Sequence, residues 1–232
     1  KINRYSKQLI LINSFFILAW LIVSVFPFIW TFWGSFKVKA DFFSRADWMF
    51  AVTGVNTLIE TGDTSTVKAY VESWTEGEFW KATMNTIIIT VSVVTISLFL
   101  GTLGAYALSR STYKYTFWIL IAALIFRAMP HITLVSGYLF PFFQLNVWGI
   151  LPTTIIVLVA INQPFTLWLL YSFFKTVPKE LDESALIDGC SYFQAFRFVI
   201  MPVMWPGVVT AGLFSMMLAY NDFTVTSLLL NQ

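Results

Sequence analysis

Long uncharged stretches separated by short charged ones run the length of the chain. No Asp, Glu, Lys or Arg occurs from Gln8 to Phe36, from Ala82 to Ser109, or from Phe198 to Asn221. Between Lys114 and Lys175 only Arg127 and His131 interrupt the neutral run, tyrosines apart. A helix needs about 20 apolar residues to cross the hydrocarbon core of a bilayer, so that interval has room for two crossings. The pattern therefore predicts five spans, near residues 9–36, 82–108, 115–142, 151–174 and 202–220. The alternation of lipid-facing and lumen-facing residues that marks a membrane β-barrel is missing. The expected fold class is all-α, a polytopic transmembrane helical bundle forming a single domain over residues 1–232.

Composition agrees with the pattern. The chain is 58% hydrophobic and 11% charged, with a mean hydropathy of +0.75. Soluble domains carry about 25% charged residues, so this chain cannot cover a water-facing surface. Lys1, Arg4 and Lys7 precede the first run as they would in a signal peptide. Signal-peptide cores, however, are only about 7–15 residues and end at a small-residue cleavage site. The first run is longer, no such site closes it, and it stays a span. Cys190 is the single cysteine, which excludes an internal disulfide and a cysteine-based metal site. The net charge of +2 gives no footprint for nucleic acid.

Basic residues set the orientation, because cytoplasmic loops carry the excess of Lys and Arg. The N-terminus, the connection with Arg110 and Lys114, and the connection with Lys175, Lys179 and Arg197 must share one side. The 37–80 segment carries four basic residues against seven acidic ones, a balance of −3, and the connection near Gln144–Gly149 has no charge. The N-terminus and residues 175–201 are thus expected in the cytoplasm, and residues 37–80 outside. Within the outer segment, residues 64–74 predict a short amphipathic helix with Val67, Tyr70, Val71 and Trp74 on one face. It either lies on the membrane surface or docks an external partner.

The cytoplasmic segment places Glu180, Asp182, Glu183 and Asp188 between two long apolar runs. Pro178 can start a helix, and the first three acids then sit near the positive end of its dipole. Leu181, Ala185 and Gly189 recur at i, i+4 and i+8, a narrow stripe whose small members let another surface approach; Glu180, Glu183 and Ile187 fall on a different side. Spacing alone leaves two readings open: a solvated connector, or a helix that inserts into a cleft on another protein.

Glu183-Ser184-Ala185, then Gly189, then Val199-Ile200-Met201-Pro202 resembles the EAA signature of bacterial ABC-importer permeases: E-A-A, three residues, G, nine residues, I-x-L-P. The spacing is kept, with Ser184 in place of the second alanine and Val199 and Met201 in place of isoleucine and leucine. Asp188-Gly189, Gln194-Ala195-Phe196, Tyr106-Ala107-Leu108-Ser109-Arg110 and Asn221-Asp222-Phe223 are similar to the carbohydrate branch, nearest to the shorter, second permease of maltose- and glycerol-phosphate-type importers.

The resemblance implies a type I ABC-importer permease fold, and a multi-pass subunit in a bacterial or archaeal cell membrane. It implies that Glu180, Glu183, Ser184, Ala185, Asp188, Gly189 and Pro202 form the ATPase-coupling segment. In that scheme Glu183 contacts the ATPase, Ala185 packs in its groove and Gly189 makes the turn leaving the helix, while ATP drives alternating access. The implied partners are a second permease, two copies of an ATPase subunit and an extracytoplasmic solute-binding protein. No Walker A sequence (G-x-x-x-x-G-K-[ST]) occurs in the chain, so ATP and Mg are expected on the partner ATPase and no catalytic site or cofactor here.

Ionisable and amide groups within spans are costly and are functional candidates by default. Arg127 and His131 flank Met129-Pro130, an expected kink. Arg127 either lines a pathway or pairs with a carbonyl or carboxylate of a neighbouring helix. Asn162 and Gln163 precede Pro164, where their amides either satisfy carbonyls freed by the proline or contact solute. Asn221 and Asp222 complete the candidate pathway, and Gly101 and Gly104 are expected to permit close helix contact. An ion-gradient-driven transporter is the alternative, and it leaves the cytoplasmic signature without a purpose. A membrane enzyme fits less well, since one histidine and one cysteine form no nucleophile–base pair. Five crossings from a cytoplasmic N-terminus leave Gln232 outside, whereas the permeases the chain resembles have six spans and both ends in the cytoplasm, so the resemblance implies a further apolar span and a basic cytoplasmic tail beyond it.

Overall fold

In the computed structural model, residues 4–35 and 65–230 are described. Residues 1–81 and 82–232 form two units and are taken separately. The first contains α1 (Arg4–Gly34) and α2 (Ser65–Thr75). α1 is apolar on every side, and Trp20, Phe28 and Val23 all face outward. A helix of that kind suits a surround as apolar as itself. Pro27 lies inside α1, where Thr31 Oγ1 donates back to the Pro27 carbonyl at 2.7 Å. The expected amphipathic helix is present as α2. Its Tyr70 hydroxyl donates to Ser35 Oγ, and its Trp74 ring lies 5.6 Å from Phe79 and 5.9 Å from Trp80. Most of the 37–80 segment expected outside the membrane lies beyond the described residues.

The second unit opens within α3 (Phe79–Arg110) and continues through α4 (Tyr115–Ala128), α5 (His131–Gln144) and α6 (Leu151–Thr176). Next come α7 (Glu180–Ile187), α8 (Tyr192–Gln194), a π-helical segment (Ala195–Ile200), α9 (Met201–Tyr220) and α10 (Phe223–Leu230). Among the described residues every regular element is helical. α6 is the hub: α4, α9 and α10 all pack on it. One apolar cluster joins Ile89, Val93, Val157, Ile161, Val225 and Leu229; the other joins Ala105, Leu170, Phe174, Phe196, Ile200 and Met204.

Close approach of α3 to α6 depends on Gly101. A Cβ there would lie 3.1 Å from both Leu170 Cδ1 and Thr166 Cγ2. α9 approaches α6 in the same way at Gly207, where a Cβ would stand 3.0 Å from the Phe173 ring.

Four helical stretches are long and apolar enough to cross a membrane: Leu9–Phe32, Phe79–Arg110, Leu151–Thr176 and Tyr192–Tyr220. The span expected at 115–142 is not one helix. α4 and α5 meet at 92° and make a fifth crossing only if the bent pair counts as one. The cause is local: Pro130 has no N–H to donate, and it holds Met129 extended at φ −69°, ψ 142°. The last span also starts ten residues before the expected 202, since α8, the π segment and α9 run on without a break.

Candidate functional site

The 92° bend creates a concave site. Its inner corner faces the α9–α10 junction across α6, enclosing a cleft of about 360 Å³. Five of the six sequence-predicted pathway residues line it: Arg127, His131, Asn162, Asn221 and Asp222. A larger cleft of about 770 Å³ adjoins it, sharing Asn221, Asp222 and Phe223 and adding Thr86, Thr90, Thr226 and Ser227. Volumes of this order suit small-molecule ligands.

The polar groups of the smaller cleft form a chain. Arg127 Nη1 donates to the Ile161 carbonyl at 3.3 Å and lies 3.4 Å from His131 Nε2. His131 Nδ1 is 3.3 Å from Asp222 Oδ2. A neutral His131 protonated on Nδ1 satisfies both contacts at once, accepting from Arg127 and donating to Asp222. The other carboxylate oxygen of Asp222 accepts the Val225 N–H at 2.8 Å and so caps α10. Arg127 therefore has the carbonyl contact that packing requires while also facing the cleft. Asn221 is turned back onto its own helix, its Nδ2 donating to the Met217 carbonyl at 2.8 Å.

Asn162 and Gln163 part company. Successive helix positions differ by about 100°, so only Asn162 reaches the cleft. Its Nδ2 donates to Ser215 Oγ on α9, a bond between helices rather than to a carbonyl freed by Pro164. Its Oδ1 is buried without a hydrogen-bond partner among the described residues. Gln163 instead faces α3, with Nε2 3.4 Å from where a Gly101 Cβ would stand.

The segment expected in the cytoplasm forms the helix α7, with Glu180, Glu183, Ser184, Ile187 and Asp188 exposed and Ile187 85% accessible. Two expectations change here. Ala185 is 5% exposed, because its side of α7 packs onto the chain's own π segment instead of onto an outside surface, while Gly189 at the end of the stripe stays exposed. Asp182 is also turned inward. Its carboxylate accepts from the Tyr106 hydroxyl and pairs with Arg110, Nη2 to Oδ2 at 2.8 Å, both side chains under 20% exposed. Sequence reasoning missed this cluster: Asp182 reads only as one of three acids near the positive end of the helix dipole, and Arg110 as a topology charge. The available signal was a charge at the end of an apolar span, where burial demands a partner.

The exit from α7 is tightly made. Gly189 takes φ +89°, Gly189 N–H donates to the Leu186 carbonyl at 3.1 Å, and Cys190 N–H to the Ala185 carbonyl at 3.0 Å. These two bonds are a Schellman ending, which favours glycine at the left-handed position. Ser191 then caps α8 reciprocally with Gln194. Pro202 lies away from the outer face of α7, in the first turn of α9. Among the described residues no group of three or more His, Cys, Asp or Glu side chains is placed to hold a metal.

A family model described as "binding-protein-dependent transport system inner membrane component" matches residues 97–232. The chain is 29% identical over 223 residues to a diacetylchitobiose uptake system permease protein of Streptomyces coelicolor, covering 91% of this chain and 66% of that protein. It is 32% identical over 220 residues to a trehalose/maltose transport system permease protein of Thermococcus litoralis, covering 94% of this chain and 73% of the relative. A sulfoquinovosyl glycerol transport system permease protein of Agrobacterium fabrum is 28% identical over 212 residues, covering 88% and 67%. The chain thus spans about two thirds of the length of such relatives. Its fold is that of a crystal structure of a bacterial ABC transporter involved in import of the acidic polysaccharide alginate. There the TM-score is 0.76 at 20% identity, over 98% of this chain and 76% of that one.

Proposed function

Since the chain belongs to the family of binding-protein-dependent transport system inner membrane components, we propose that it is one permease subunit of an ATP-driven importer for a sugar, polyol or related small solute. The observation that carries this reading is the cleft at the α4–α5 bend, where Arg127, His131, Asn162, Asn221 and Asp222 converge beside a larger hydroxyl-lined space. Hydroxyl, amide and carboxylate groups at a helix break suit a solute rich in hydroxyls, which needs hydrogen bonds in place of its water. The saccharide-uptake relatives support the same solute class.

Coupling follows from the outward side of α7. Glu180, Glu183 and Ile187 present two acids and one apolar side chain to a partner. That partner is an ATPase subunit, present in two copies, which binds ATP and Mg and closes on ATP binding. α7 passes the closure to α3 and α6 through Asp182 and Arg110 and to α9 through the π segment. The cleft then alternates between the two faces of the membrane as packed helices rock about it. A second permease completes the pathway and an extracytoplasmic binding protein delivers the solute. The subunit has no catalytic site of its own, and its N-terminus is cytoplasmic in a bacterial or archaeal membrane.

The test is ATP hydrolysis by the complete complex reconstituted in lipid, with a panel of oligosaccharides and polyols presented by the binding protein. Stimulation of hydrolysis, with uptake that requires ATP, is the expected result. Uptake driven by an ion gradient in the absence of ATP would overturn the proposal.

A further inference from the structure

The cytoplasmic end of the second unit carries a groove unrelated to the polar clefts. It has a volume of about 550 Å³ and lies between α3 and the run from α8 through the π segment into α9. Phe99 and Leu103 form one wall; Phe193, Phe198, Met201 and Trp205 form the other. Most of these side chains are more than half exposed. A single cation, Arg197, stands in this apolar lining. From Phe193 to Trp205 the groove wall is about 18 Å long at 1.5 Å per residue, directed from the end of the span toward the membrane interior.

The π segment explains the arrangement. A turn widened by one residue re-aims the side chains that follow it, and such turns recur at functional sites. Here Phe196 turns inward as the groove floor, while Arg197 and Phe198 emerge side by side, the guanidinium 5.8 Å from the Phe198 ring. Among the described residues no carboxylate pairs with Arg197; of the acids nearest in sequence, Asp188 and Glu183 are exposed at α7 and Asp182 is held by Arg110. Arg197 is also the last charge before the neutral run Phe198–Asn221. A long basic side chain at that point reaches the headgroup level while its stem stays in hydrocarbon.

We propose that this groove binds one anionic phospholipid, its phosphate on Arg197 and an acyl chain lying along Phe99, Leu103, Met201 and Trp205. Charge complementarity selects the occupant. The groove lining holds no acid, so an apolar helix in the same place would bury Arg197 at the cost of an unpaired charge. A lipid phosphate is the anion present at that depth, and basic pockets between membrane helices on the cytoplasmic side bind such headgroups. The inference goes beyond transport activity, since it requires only that α3 and α9 face lipid.

Native mass spectrometry of the complete assembled complex tests it, using membranes with equal phosphatidylglycerol and phosphatidylcholine. Wild type is expected to retain phosphatidylglycerol with about a fivefold preference, the size one basic residue contributes at an anionic surface. Arg197→Gln should lose the preference and Arg197→Lys should keep it. Leu103→Trp, which fills the groove and leaves the cation in place, should lose the lipid itself. Equal retention of both headgroups by wild type, or an unchanged preference in Arg197→Gln, would overturn the proposal. So would cross-linking from Phe198 to a partner polypeptide. If Arg197→Gln does not assemble, Leu103→Trp decides: unchanged lipid retention in that variant refutes the site.

Discussion

Arg110 Nη2 and Asp182 Oδ2 lie 2.8 Å apart, joining the last residue of α3 to the first turn of α7. Through Nη1 the same guanidinium donates to the Phe174 carbonyl at 3.3 Å and the Val177 carbonyl at 3.1 Å, closing the end of α6. Removing one partner of a pair this buried leaves an uncompensated charge, so Asp182→Ala should lower stability by about 3–5 kcal/mol. Replacing both partners, Arg110→Met with Asp182→Leu, should recover a large part of that loss. Thermal unfolding of the purified complex reads both. A double variant as unstable as Asp182→Ala would show that the unpaired charge is not the cause.

Glu183 is exposed on the outer side of α7, and among the described residues its side chain makes no hydrogen bond or ion pair. If α7 couples to an ATPase as proposed, Glu183→Lys should leave the helices folded and abolish transport, by reversing the charge that α7 offers its partner. Uptake is measured together with recovery of the ATPase in pull-down. A mutant that transports normally would remove α7 from the coupling role.

Arg127 touches both the Ile161 carbonyl and His131. If its work is in the cleft, Arg127→Ala should reduce solute-stimulated ATP hydrolysis tenfold or more per assembled complex, the rate change of about 1.4 kcal/mol. Yield should hold, since the carbonyl gives up a single long hydrogen bond worth about 1 kcal/mol. Poor yield with full activity in the surviving complexes would assign Arg127 to packing.

The two glycines of α3 are not equivalent. An alanine Cβ at Gly101 meets Leu170 and Thr166 at 3.1 Å, whereas at Gly104 it meets only Leu167 Cδ1 at 3.2 Å. Overpacking of a close helix contact costs about 1–3 kcal/mol, so Gly101→Ala should lower the unfolding temperature more than Gly104→Ala. Equal shifts would mean that α3 can move away from α6.

The helical class and most helix boundaries were legible because crossing a bilayer constrains composition over 20 or more residues at a time. Pro130 was legible as a kink, but its angle was not: a right angle depends on what α4 and α5 pack against. Five pathway candidates converge because each was an anomaly in apolar surroundings, and anomalies are easy to see. Gln163 passed the same filter and points elsewhere, since helix phase at one residue's resolution is invisible until a neighbour fixes it. The Asp182 cluster shows the opposite failure. Tyr106 and Arg110 lie 76 and 72 positions before Asp182, and although a charge ending an apolar span calls for a partner, nothing in the sequence said which acid it would be.

The turn after α7 has a mechanical consequence. Backbone bonds from Gly189 and Cys190 close one side of it, and the Ser191–Gln194 exchange closes the other. Fraying, the usual way a short helix relieves an applied load, is thereby suppressed at this end. A torque applied at Glu183 cannot dissipate by unwinding the last turn. Under the coupling proposed above, it divides between the Asp182–Arg110 pair, which leads to the ends of α3 and α6, and the packing of α7 on the π segment, which leads to α9.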